Sequence, residues 1–85
     1  MKDLPLSTAF PDSSAVDRAT YHPGPRVLDI WYSGGDRYSY FDVPEETYRQ
    51  LRSASSVGEF VNREVKPRFR YAIEPGRRRF RPQED

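Results

Sequence analysis

Few residues in this 85-residue chain are of types that do chemistry, and their spacing restricts them further. Asp42, Glu45 and Glu46 form the one tight carboxylate group. Paired-carboxylate chemistry needs two acids whose pKa values are driven apart inside a cleft. Here Glu45 and Glu46 follow Val43-Pro44, at the start of a predicted helix, where negative charge meets the positive end of the helix dipole. Ser55, Ser56 and the one histidine, His22, supply hydroxyls and a base, but no third group to orient them. His22 precedes Pro23 and is read as an extended surface residue at a strand end. Ser33-Gly34-Gly35-Asp36 has neither the glycine spacing nor the Lys-Ser/Thr of a phosphate loop. With no cysteine, disulfides, thiolate metal sites and a thiol nucleophile are excluded, and a lone histidine does not build a metal site. The chain is therefore expected to be non-catalytic, with no cofactor and no metal.

Binding chemistry is better represented. Residues 1–62 carry six Lys/Arg against nine Asp/Glu, whereas residues 63–81 carry eight Lys/Arg against two Glu. The basic set is Arg63, Lys66, Arg68, Arg70, Arg77, Arg78, Arg79 and Arg81, interleaved with aromatics in RFRYAIEPGRRRFR. Arginine neutralises phosphate, and aromatic faces stack unpaired bases. These eight residues, with Trp31 and Phe41 as stacking surfaces, are the candidate contacts to RNA or DNA. The alternative is a protein-interaction module, either a peptide-docking domain or a homodimer, using an uncovered sheet edge. No apolar run approaches the ~20 residues of a membrane span and no signal peptide is visible, so a soluble, cytoplasmic protein is expected.

The elements that must position these groups centre on residues 31–62. Residues 1–12 hold two prolines and no sustained periodicity, and are expected to form a flexible arm. A strand is expected over residues 13–21, with Val16 and Arg18 on one face and Asp17 and Ala19 on the other. The clearest strand is residues 27–32, where Leu28, Ile30 and Tyr32 alternate with Val27, Asp29 and Trp31. Gly34-Gly35 suits a hairpin turn, and the chain returns over residues 37–43. That return leaves either Tyr38 and Tyr40 or Phe41 and Val43 partly exposed.

A helix follows to about Ser53, with Tyr48, Leu51 and Ala54 inward. Ser56 and Glu59 have the spacing of a capping box for a second helix, which Pro67 stops. Gly58 costs that helix stability, so a close contact is expected there, with the first helix or the sheet crossing it. Phe69, Tyr71 and Ile73 alternate as a short edge strand or a strap over the core. The expected fold is α+β: an antiparallel sheet of three strands, or four with residues 69–73, followed by two packed helices in the order β-β-β-α-α. The domain is expected over residues 13–74, with a basic, disordered tail at 75–85. The expected core is Val16, Leu28, Ile30, Tyr32, Tyr40, Tyr48, Leu51, Ala54, Phe60 and Val65.

Two linked blocks give this order a precedent. They are Tyr38-x-Tyr40-x-x-Val43-Pro44 and Ala54-x-Ser56-x-Gly58-x-Phe60-x-Asn62, preceded by Ser13-Ser14 and Leu28/Ile30/Tyr32. In these the chain resembles the KTSC domain family, found at the C-terminal end of some bacterial lysyl-tRNA synthetases and as short free-standing bacterial and phage proteins. The resemblance spans about residues 13–71. It departs where Val61, rather than a second aromatic, precedes Asn62, and it does not reach the arginine run. It implies an α+β domain with no assigned catalytic residues, and a role in RNA binding or protein contact. Tyr38, Tyr40, Val43, Pro44, Ala54, Ser56, Gly58, Phe60 and Asn62 are read as its structural motif; the Asn62 amide either bonds the preceding loop, the favoured reading, or faces a ligand.

Overall fold

The computed structural model of the chain describes residues 4–74. The strands are β1 (Leu6–Ala9), β2 (Val16–His22), β3 (Val27–Tyr32), β4 (Arg37–Tyr40) and β5 (Tyr71–Glu74). Between β4 and β5 lie α1 (Glu45–Ser53) and α2 (Val57–Phe60), the latter continuing as a π-helical turn over Val61–Val65. The strands form one antiparallel sheet in sequence order. This corrects the expected sheet of three or four strands followed by two helices. Within the segment expected as an arm, Leu6–Ala9 pairs with β2, Leu6 lying opposite Tyr21 and Ala9 opposite Arg18. An edge strand has one neighbour and mostly exposed side chains, so it carries little of the apolar alternation that marks a strand in sequence. At the other end, Tyr71–Glu74 returns to pair with β4, which places both helices inside the run of strands rather than after it.

The helices cover one face of the sheet. Val16, Ala19, Tyr21, Leu28, Ile30 and Tyr40 from the strands are buried with Tyr48, Leu51, Phe60, Val61 and Val65 from the helical segment. Phe10 and Val43 join this core, while Tyr32 and Ala54 only pack against its rim. The expected faces of β2 fail at one point. A register shift between Val16 and Arg18 resets the alternation, so Val16, Ala19 and Tyr21 all face the helices.

α1 starts behind Pro44 and has Glu45 and Glu46 in its first turn and Arg52 in its last, the order the helix dipole favours. It presents Tyr48 and Leu51 to the sheet. The Tyr48 ring stacks on Tyr21 at 5.7 Å between centroids, and its hydroxyl bonds that of Thr8. α2 starts at Ser56, whose Oγ accepts from the Glu59 N–H at 3.4 Å. A Cβ on Gly58 would lie 3.2 Å from the Cβ of Ala15. The close neighbour is therefore the segment entering β2, and not α1. Gly58→Val is expected to push these segments apart and cost about 1–3 kcal/mol, seen as a lower midpoint in thermal unfolding. Asn62 is exposed on the helical segment instead of turning back to the loop.

Candidate functional site

The sheet face opposite the helices carries no helix among the described residues. Alternation brings its side chains together in rows across the strands. In the first row Arg18, Trp31, Arg37 and Glu74 lie side by side on β2, β3, β4 and β5. The Arg18 and Arg37 guanidinium carbons stand 5.4 Å and 5.7 Å from the Trp31 ring centroid. A guanidinium over an indole face is held by the ring's quadrupole. Arg37 also donates to the Glu74 carboxylate. Arg18, by contrast, is exposed, and besides the Trp31 ring it donates to Ser7 Oγ at 3.4 Å.

The same face continues past β4. The Phe41 N–H donates to the Arg70 carbonyl at 3.0 Å, extending the β4–β5 ladder by one pair. Alternation then sets Phe41 and Arg70 on the side of Arg37 and Ser39. The Arg70 guanidinium lies 5.6 Å from the Phe41 ring centroid and donates to Asp42 Oδ2 at 3.3 Å. Phe41 is four residues beyond Arg37, about 13 Å along the strand. That exceeds the ~3.4 Å step of stacked bases, so the two rings suit bases splayed apart from each other.

Between the two aromatic sites lies a polar row, with Thr20, Asp29 and Ser39 opposite one another. Asp29 is the buried charged residue of the sheet. Its carboxylate accepts from Ser39 Oγ at 2.6 Å and lies 2.9 Å from His22 Nε2. His22 therefore has a partner that the sequence reading did not supply. The carboxylate stands between hydroxyl and imidazole, an order in which the imidazole cannot take the serine proton. Among the described residues, no group of three His, Cys, Asp or Glu is placed to hold a metal ion.

On the helix side, β3, β4 and β5 bring Tyr32, Tyr38, Tyr40 and Tyr71 into one cluster. Tyr38 stacks on Tyr40 at 6.1 Å and on Tyr71 at 5.4 Å, and meets Tyr32 edge-on at 5.0 Å. Tyr40 is buried, Tyr38 half-buried, and Phe41 falls on the other face; Val43, expected beside Phe41, joins the core with Tyr40 instead, because Asp42 at φ 58° breaks the alternation between them. Burial raises the Tyr21, Tyr32 and Tyr40 hydroxyls above their ordinary 10.0, and for Tyr32 the hydrogen bond to Tyr40 adds to the effect. Above pH 10 the unfolded chain loses phenolic protons that the folded chain still holds. The stability from these groups is complete below pH 10 and falls as pH rises towards their raised values. Urea unfolding at about pH 11 is expected to have a lower midpoint than at about pH 9. An equal midpoint would mean that these phenols ionise as freely in the folded chain as in the unfolded one.

The described members of the basic set, Arg63, Lys66, Arg68 and Arg70, are divided between the two sides of the sheet. Arg63 and Arg68 each lie 3.2 Å from Glu64, and Lys66 sits 5.3 Å from the Tyr32 ring on the helix side. Among the described residues of that set, Arg70 shares a face with Trp31 and Phe41. Arg77, Arg78, Arg79 and Arg81 lie outside the described residues. Arg18 and Arg37, which flank Trp31, were not singled out by sequence, and neither were Asp29 and Ser39. The signal was present in the alternation of VLDIWY against RYSY, which sets Asp29 with Trp31 and Ser39 with Arg37. A polar groove of about 490 Å³ runs between the loop before β2 and the turn before α2. Its Ser13 and Ser56 hydroxyls are used locally, accepting from Val16 N–H at 3.1 Å and Glu59 N–H at 3.4 Å.

The family model of the KTSC domain matches residues 12–69. The chain belongs to the KTSC domain family. A protein of Tsukamurella paurometabola is 46% identical over 59 residues, which are 69% of this chain and 88% of that protein. A lysine–tRNA ligase of Nostoc sp. is 30% identical over 61 residues, 72% of this chain but 11% of the ligase. The crystal structure of a KTSC domain protein from Yersinia pestis superposes with a TM-score of 0.75 at 28% identity, covering 81% of this chain and 96% of that one. No helix among the described residues is long and apolar enough to cross a membrane.

Proposed function

We propose that this KTSC domain is a non-catalytic binding module that takes single-stranded nucleic acid, RNA foremost, on the helix-free face of its sheet. The observation that carries the reading is the placement of Trp31 between Arg18 and Arg37, with the Phe41–Arg70 pair farther along the same face. Binding exchanges partners on the two rings: the exposed Arg18 gives up its face of Trp31 to a base and turns to a phosphate, and Arg70 does the same at Phe41, while Arg37 stays on the other side of Trp31. Stacking of this kind is tolerant of sequence, because every base has a π-face. Lysine–tRNA ligases, enzymes named for an RNA, include a KTSC-like segment as about a tenth of their length, which favours RNA over DNA.

The test is fluorescence anisotropy of labelled single-stranded RNA, single-stranded DNA and duplex RNA, titrated with the full chain at two salt concentrations. Single strands are expected to bind more tightly than duplex, and binding to weaken as salt rises. Absence of binding to any of the three at low salt would overturn the reading. A protein partner is the second reading, favoured by the β5 edge, where Tyr71 and Ile73 are 52% and 47% exposed.

A further inference from the structure

We propose that β5 is a self-complementary edge through which two copies of this chain join their sheets. The main-chain geometry comes first. The Arg70 carbonyl accepts from Phe41, so Arg70 turns its polar main-chain groups towards β4. In an antiparallel pair these orientations alternate. Ala72 and Glu74 therefore also turn towards β4, opposite Ser39 and Arg37. Tyr71 and Ile73 turn their N–H and C=O groups outward, where no described strand pairs with them.

Placing a second β5 antiparallel against the first, with the twofold axis at Ala72, uses those outward groups. Tyr71 falls opposite Ile73 of the second copy, and the two residues exchange both main-chain hydrogen bonds. The twofold repeats the pair on the other side of the axis. Ala72 faces its own copy at the close, non-hydrogen-bonded position, where a small side chain fits. Side chains match in the same register. On the helix side the exposed Tyr71 ring meets the exposed Ile73, an aromatic against a β-branched residue, which is a favoured cross-strand pair. On the open face Arg70 falls opposite Glu74 of the second copy, twice. Each of these two residues already has an ion partner within its own chain, Asp42 for Arg70 and Arg37 for Glu74. A carboxylate accepts from two cations at once, and the guanidinium carries donors to spare.

The choice of a second copy, rather than another partner, rests on this match. One register satisfies the hydrogen bonds, the apolar pair and both charge pairs. The net charge of +1 leaves little long-range repulsion between copies. The contact is shorter than that of a permanent dimer, so association is expected at micromolar concentrations or above. The joined sheet has ten strands and one continuous open face, bringing the Phe41–Arg70 sites of the two copies to either side of the axis.

The test is sedimentation equilibrium of the full chain from about 10 µM to about 1 mM. The weight-average mass is expected to rise from 10.0 kDa towards twice that value. Arg70→Glu sets Glu against Glu in both charge pairs, and Glu74→Arg sets Arg against Arg. Each variant alone is expected to associate about tenfold more weakly than the natural chain. Mixed in equal amounts, the two are complementary at both pairs, and the heterodimer is expected to regain the lost affinity. Ile73→Lys, which places an ammonium at an exposed edge position, is expected to weaken association without touching the charge pairs. A natural chain that stays at 10.0 kDa up to about 1 mM would overturn the proposal. So would single variants that associate like the natural chain, or a mixture no tighter than its components.

Discussion

Trp31→Ala is expected to weaken binding of single-stranded RNA about 10- to 100-fold while leaving the chain folded, since stacking on an aromatic side chain contributes ~1–3 kcal/mol per base. The ring lies on the helix-free face and is not part of the core cluster, so its loss opens no internal cavity. Arg18 and Arg37 lose their common stacking surface at the same time, which adds to the effect. Trp31→Phe keeps a π-face between the two guanidinium groups and is expected to retain most of the affinity. Anisotropy titrations of the natural chain and both variants at one salt concentration check this. If alanine and phenylalanine bind alike, stacking at position 31 is not the source of the affinity.

The second large effect is on stability, from the other side of the sheet. Leu51→Ala removes a fully buried side chain from the face that α1 turns to the sheet. Such a truncation costs about 2–5 kcal/mol, because the lost burial is compounded by the cavity left behind. A chain of 85 residues has a total stability of about 4–13 kcal/mol. The midpoint of thermal unfolding is therefore expected to fall by about 10–30 °C, measured by circular dichroism. Leu51 does not reach the open face, so RNA affinity measured well below the lowered midpoint is expected to be unchanged. Together the two variants separate the layers of the molecule: one weakens the contact and leaves the core intact, the other lowers stability and leaves the contact intact.

The parts of the fold legible in the sequence are those with both an alternating pattern and a local punctuation. The β3–β4 hairpin had both, in Leu28/Ile30/Tyr32 and Gly34-Gly35, and Gly35 takes φ 109° at the turn. α1 and α2 had them in Pro44 with two glutamates and in Ser56 with Glu59. The edges of the sheet had neither. β1 is polar or exposed at most positions because it has a neighbour on one side only, and so it passed for a loose arm. At the turn after β2, Arg26 takes φ 61°, and its carbonyl accepts from Val43 N–H at 3.0 Å. A contact across the fold selects that conformation, and no local pattern announces it.

The candidate site was legible only in half. Trp31 and Phe41 were identified from their strand alternation and do share one face. The arginines beside them were chosen by density along the chain, and density favours the end of the sequence. The sheet selects differently, because β2 and β4 bring Arg18 and Arg37 to either side of Trp31 from positions 19 residues apart. Asp29 looked like one more polar residue of an alternating strand. Its burial with Ser39 and His22 follows from strand register, which fixes neighbours that sequence distance hides.

Trp31 is the single tryptophan of the chain, so its emission reports the proposed site directly. The most direct measurement is therefore its fluorescence during titration with unlabelled single-stranded RNA, repeated at higher salt. The reading of the open face predicts saturable quenching, with an affinity that falls as salt rises and matches that from anisotropy. Binding seen by anisotropy with the Trp31 emission unchanged would contradict it, and would place the nucleic acid on another part of the chain.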